Sequence, residues 1–227
     1  ILGDEVMNKN DWLIGFLLLI IVSLSLALVD TRMSIQNNVK MVEVQAKKEK
    51  IVFAGDSITD RYDLNQYYQY DNKLIINSGI SGYKTTNMIN RFHNLIEQHQ
   101  ADKLFLMIGT NDLGAGTEND VVVNNIKTII EMIKEKSSKT KIYLESIYPV
   151  NSGKRPTDKN RNNEDIRYIN EQLKKYCAEN NIVYLDIYSI LQDVNGDLKA
   201  EYTEDGLHLN DAGYEVITNY LKPYVEE

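Results

Sequence analysis

The chain has 227 residues, a formal net charge of −8 and 43% hydrophobic residues, with 12 Gly, 3 Pro and a single Cys. That length suits one domain with or without an appendage, and the composition is too apolar for a disordered chain and too poor in Gly and Pro for a fibrous one. One cysteine excludes an intramolecular disulfide framework and a Cys-rich zinc site, and the acidic balance argues against a grip on nucleic acid, which needs clustered Lys and Arg.

The apolar residues are unevenly spread. From Trp12 to Val29, 15 of 18 residues are apolar, the others being Gly15, Ser23 and Ser25. Eighteen helical residues span about 27 Å, close to the roughly 30 Å hydrocarbon core of a bilayer. The segment lacks the polar face that a soluble helix turns to water. Residues 12–29 therefore predict a membrane segment, preceded by a short tail over 1–11. Ser25-Leu26-Ala27 resembles a small-x-small cleavage site, which would make the segment a secretory signal; the run continues through Leu28 and Val29, which favours an uncleaved anchor. Only Lys9 precedes the segment while Arg32, Lys40, Lys47 and Lys48 follow it, a count that would keep the rest of the chain in the cytoplasm. An apolar segment ahead of a soluble domain is nonetheless the usual arrangement of an export signal or anchor, and an extracytoplasmic domain is the preferred expectation. The chain begins with Ile1, and Met7 offers an alternative start. Residues 30–49 read as a stalk, with Ile35, Val39, Val42 and Ala46 in a short helical stripe able to pack on the domain or on a second copy.

From residue 50 the pattern changes. Short β-rich runs at 50–54, 73–77, 103–108, 141–147 and 182–187 alternate with helical patterns at 85–99, 118–136, 163–180 and 211–225. Continuous apolar strands separated by helices imply a five-stranded parallel sheet covered on both faces, a three-layer α/β/α sandwich over 50–227. This part carries 20 basic and 27 acidic residues, against 5 and 6 in residues 1–49, so the acidity belongs to the domain.

Parallel sheets hold their ligands at the carboxyl ends of the strands, so the chemistry is sought just past each run. There lie Gly55-Asp56-Ser57, Asn77-Ser78-Gly79-Ile80-Ser81-Gly82, Gly109-Thr110-Asn111-Asp112 and, ahead of the last helix, Asp205-Gly206-Leu207-His208. Ester hydrolysis by a serine needs a nucleophile, a base, a group orienting the base, and donors for the oxyanion. Ser57 sits at a strand-to-helix turn, and His208 alone among the three histidines lies in a loop, with Asp205 one turn upstream to fix its tautomer. Gly82 offers a backbone N–H with no side chain in the way, and Asn111 a neutral amide donor. Gly55, Gly79 and Gly109 read as turn residues, and Asp56, Asn77 and Asp112 as braces.

These four blocks, G-D-S at 55–57, N-x-G-x-x-G at 77–82, G-x-N-D at 109–112 and D-x-x-H at 205–208, resemble the SGNH (GDSL-type) hydrolase superfamily, a flavodoxin-like fold, over about residues 50–227. Gly79–Tyr83 and 201–213 look most like the bacterial branch related to platelet-activating-factor acetylhydrolase and lysophospholipase L1. The resemblance implies Ser57 as nucleophile, Asp205 and His208 as its triad partners, and Gly82 and Asn111 as oxyanion donors together with the Ser57 amide. It implies an ester hydrolase without cofactor, acting on short-chain acyl, acetyl or lysophospholipid esters of a small-molecule, lipid or carbohydrate substrate through an acyl-enzyme. An acyltransferase with a sugar acceptor, or a silent membrane-tethered binding module, would keep the same residues.

Competing motifs fail on spacing. Ile58-Thr59 stand where the second glycine of a G-x-S-x-G elbow would fall, Lys84 does not follow a glycine as a phosphate loop requires, and no acidic or histidine cluster has metal spacing. Cys177 reads as structural. Two segments leave alternatives open: the tyrosines of 61–70 as a substrate wall or as packing, and the basic loop 151–163, with Lys154, Arg155, Lys159 and Arg161, as an anion dock or a solvated loop.

Overall fold

The computed structural model describes residues 9–46 and 48–227. Most of the tail expected over 1–11, the alternative start at Met7 and the stalk's Lys47 lie outside the described residues, as does the side chain of Ala46. The chain divides into two compact units at Lys48/Glu49.

The first unit is one helix, α1 (Lys9–Ala46), running unbroken through the expected membrane segment and into the stalk. Neither Gly nor Pro interrupts residues 16–46, so the chemical change at Asp30 brings no break in the backbone. The helix is long and apolar enough to cross a membrane, with a mean hydropathy of 2.8. Three of its hydroxyls turn back on their own helix: Ser23 Oγ donates to the Ile20 carbonyl at 2.9 Å, Ser25 Oγ to Ile21 at 2.6 Å and Thr31 Oγ1 to Ala27 at 2.7 Å. Such bonding satisfies these three donors without water. Ile35, Val39 and Val42 are exposed.

The second unit is built on five parallel strands, β1 (Glu49–Gly55), β2 (Lys73–Gly79), β3 (Lys103–Met107), β4 (Lys141–Glu145) and β5 (Val183–Leu185), in the order β2-β1-β3-β4-β5. The central runs Ile51–Ala54 and Leu104–Met107 are almost wholly buried, as continuous apolar strands must be when helices cover both faces. Phe53, Phe105 and Tyr143 stand in register on three neighbouring strands and stack at 4.6 and 4.5 Å. Helix α10 (Asp211–Glu226) packs on one end of this row, its Tyr224 ring lying edge-on to Tyr143, while Tyr62 and Tyr68 lie against Phe53 at the other. Helix α7 (Asn119–Lys136) buries Val122, Ile126, Ile129, Ile130 and Ile133 at helical spacing, and packs between α4 (Thr85–Asn90) and α8 (Asn163–Glu179).

Three expectations are corrected. The helix predicted over 85–99 breaks into α4, α5 (Phe92–Leu95) and a 3₁₀ turn at Glu97–His99. Asn87, Asn90 and Asn94 are weak helix formers, and the Leu95 carbonyl is taken by Ser78 Oγ at 2.6 Å. Strand β4 ends two residues early because Asn170 exchanges both its amide groups with the Ile147 backbone, replacing the ladder. Strand β5 stops at Leu185 because Asp186 caps α9 (Ile187–Leu191), its Oδ1 accepting from Ser189 N–H.

Candidate active site

The sheet reverses its winding at β1, between β2 and β3, and a crevice for a ligand is expected at that point. Strand β1 leads through Asp56 into α2 (Ser57–Asp60). Asp56 caps this turn, its Oδ1 accepting from Ile58 N–H at 2.9 Å, and burial pushes its carboxyl up to about 7. Ser57 opens the helix behind this cap, and Tyr214 from α10 holds the Ile58 carbonyl at 2.8 Å.

Ser57 Oγ lies 2.9 Å from His208 Nε2, and His208 Nδ1 lies 2.6 Å from Asp205 Oδ2. Asp205 Oδ1 accepts from the backbone amides of Leu207 and His208 at 2.9 and 2.8 Å. Partial desolvation works to raise the Asp205 carboxyl, but the His208 ring and these two amides outweigh it and hold it well below the usual carboxylate range. A carboxylate so held stays ionised and keeps the imidazole proton on Nδ1, leaving Nε2 to accept from the serine hydroxyl.

The other segments are stitched to this line. Ile80 N–H donates to the Gly55 carbonyl at 3.1 Å and Ser81 Oγ to Asp60 Oδ2 at 2.5 Å, fastening the turn after β2 to the end of β1 and to α2. Gly82 in that turn has φ +79°, a conformation that side-chain-bearing residues seldom adopt. Asn111, in the short helix α6 (Thr110–Gly114), donates through Nδ2 to the Tyr83 carbonyl at 3.0 Å, which ties the β3 end to the same turn. Asn77 bonds the Thr59 and Tyr62 carbonyls and the Gly79 amide, and buried Asp112 accepts from the Thr85 amide and hydroxyl at 2.9 and 2.6 Å. Both act as braces between neighbouring segments.

Of the tyrosines in 61–70, Tyr62 and Tyr68 are buried and bond each other, and Tyr62 stacks on Tyr214 at 5.0 Å; Tyr67 and Tyr70 pack partly buried against the core. These contacts give Tyr62 and Tyr68 a packing role. The basic loop also turns inward. Lys154 Nζ donates to the Ala200 and Thr203 carbonyls, Arg155 reaches the Asp205 carbonyl at 3.3 Å, and Arg161 bonds the Thr110 carbonyl and Asn111 Oδ1. Sequence reading treats Arg155 and Arg161 as loop cations, because nothing local announces partners some fifty positions away. Cys177 is buried and its thiol is pushed up to about 12 by desolvation, which leaves no thiolate for nucleophilic work.

The profile of the GDSL-like Lipase/Acylhydrolase family matches residues 53–216, which contain all four blocks. The chain belongs to this family. The ester-hydrolase class expected from its motifs is the class of the GDSL-like lipases and acylhydrolases. A solved structure from Streptococcus pneumoniae, described as a candidate platelet activating factor, shares 30% identity with a TM-score of 0.73, covering 89% of this chain and 99% of that one. Among curated proteins, the N-acylneuraminate cytidylyltransferase of Escherichia coli is 28% identical over 183 residues, covering 78% of this chain and 40% of the relative. The multidomain esterase of Ruminococcus flavefaciens is 29% identical over 189 residues, covering 75% and 23%. The chain thus spans less than half the length of these two curated relatives.

Proposed function

We propose that the chain is a serine esterase working through an acyl-enzyme on Ser57. The observation that carries this reading is the unbroken hydrogen-bonded line from Ser57 Oγ through His208 to Asp205. In the first half-reaction Ser57 Oγ attacks the ester carbonyl as His208 Nε2 takes its proton, and the Asp205 carboxylate stabilises the imidazolium that forms. The carbonyl oxygen, now negative, is received by the amides of Ser57 and Gly82 and by Asn111 Nδ2. The C–O bond to the alcohol breaks as His208 returns the proton to the leaving oxygen. In the second half-reaction His208 takes a proton from water, the hydroxide adds to the acyl carbonyl, and Ser57 leaves reprotonated with release of the carboxylic acid.

Acetyl and other short acyl groups on a sugar or lipid are the proposed substrates. Support comes from the sugar-handling name of the cytidylyltransferase relatives and the esterase name of the multidomain relative. For α1 we propose anchorage in a bilayer with the enzyme unit on the extracytoplasmic side, or secretion where cleavage follows Ala27. Length, hydropathy and self-satisfied hydroxyls support a place in lipid. The test is hydrolysis of p-nitrophenyl acetate, butyrate and octanoate by the full chain in detergent, alongside acetylated sugars and a fluorophosphonate probe. Labelling of Ser57 with turnover falling as the acyl chain lengthens is the expected result; an unlabelled serine removes the mechanism.

A further inference from the structure

Past β4 the chain forms the loop over 151–163, and one of its arginines is built into the protein. The Arg161 guanidinium is largely buried, with 14% of the side chain exposed, and spends its donors in three directions. Nε donates to the Thr110 carbonyl at 2.9 Å, one terminal nitrogen donates to Asn111 Oδ1 at 3.1 Å, and the other pairs with the Asp158 carboxylate. The guanidinium lies directly over Gly114: a Cβ there would fall 2.2 Å from the guanidinium carbon, so a side chain at 114 would displace Arg161 from this place. Asp158 also holds Arg155 at 3.3 Å, and Arg155 in turn reaches the Asp205 carbonyl at 3.3 Å.

We propose that Arg161, clamped by Asp158, is the positioning residue that fixes the orientation of the Asn111 amide toward the oxyanion. This inference rests on the esterase reading given above. The two ends of an asparagine amide are nearly the same size but opposite in polarity, and the wrong end would present a carbonyl oxygen to developing negative charge. Arginine carries only donors, so Oδ1 alone can face Arg161; the Tyr83 carbonyl only accepts, so Nδ2 alone can face it. Two neighbours of opposite sign thereby set the amide, and the second Nδ2 hydrogen is left for the reacting oxygen. The guanidinium charge on Oδ1 also draws electron density from the amide nitrogen and makes that hydrogen a stronger donor.

The experiment compares wild type, Arg161→Gln, Asn111→Ala and the double variant as full chains in detergent, with p-nitrophenyl acetate as substrate. Losing an oxyanion donor costs about 10²–10³-fold in kcat, and misorienting it should cost a smaller share, about tenfold to a hundredfold, with KM unchanged. In the Asn111→Ala background the Arg161→Gln change should cost nothing more. Equal losses in both backgrounds, an effect on KM alone, or an unchanged kcat would overturn the proposal. A second readout is the Asn111 side-chain ¹⁵N–¹H pair, assigned by its disappearance in Asn111→Ala. In wild type the two hydrogens should be well separated, and in Arg161→Gln they should move toward free-amide positions; an unmoved pair overturns the proposal even if the protein hydrolyses nothing. A wild type inert to every ester and to the fluorophosphonate probe overturns the esterase reading instead, so the two failures are told apart.

Discussion

The two halves of the candidate site are held by different physics. Ser57 opens the short helix α2 directly behind β1, whose residues sit in the apolar centre of the sheet, with the Phe53–Phe105–Tyr143 row on one face. Asp205, His208 and Asn111 lie on loops or a short helix, and polar side chains reaching across the chain brace this half: Arg161 at Asn111 and Arg155 at Asp205. Burial of apolar area is strong and indifferent to direction, so it suits the central strand that Ser57 directly follows. Hydrogen bonds contribute less but specify angles, which suits groups whose orientation decides whether a proton or a charge is received.

The comparison can be broken at its strongest point first. Ser57→Ala should lower turnover by about 10⁴–10⁶-fold while leaving the thermal unfolding of the domain in place, as seen by esterase assay and calorimetry. A fall in both would show that the serine also supports the fold. Next in size is the apolar half. Phe105→Ala empties a buried site between two stacked rings and should cost about 3–5 kcal/mol of stability by denaturant titration. A loss below 1 kcal/mol would mean that the row is not what anchors β1 and β3.

The smallest effect concerns Glu145, a buried carboxylate at the end of β4 that accepts from Tyr148 at 2.5 Å. Desolvation raises it from 4.5 to about 7, outweighing the Tyr148 bond. Between those values the folded protein retains a proton that the unfolded chain has lost, so stability falls as pH rises through the window. Asp56, raised for the same reason, adds its own share. Glu145→Gln should flatten the decline of Tm from about pH 4.5 to 7; parallel profiles for variant and wild type would remove the charge at Glu145 as its source.

What could be read in the residue order was whatever is local. The five strands, the stripes of α7 and α10 and the four motif blocks each lie within one short window, and the strand ends bring those blocks to one edge. What escaped was non-local. The early end of β4 depends on Asn170, 23 positions away, and the inward turn of Arg161 on carbonyls about 50 positions upstream. The broken helix at 85–99 belongs with the second group: its pattern reads as one helix, and the bond from Ser78 to Leu95 is not visible in it. The tyrosines of 61–70 were ambiguous because a packing ring and a substrate-facing ring have the same chemistry until their neighbours are known.

One property of α1 has a practical side. The chain's single tryptophan, Trp12, lies on that helix, stacked on Phe16 at 5.6 Å, whereas all fifteen tyrosines lie in the second unit. The two units therefore carry separate chromophores. Indole emission and its quenching by brominated lipid report on the helix alone, and tyrosine absorbance reports on the melting of the second unit, in the same sample and without a label.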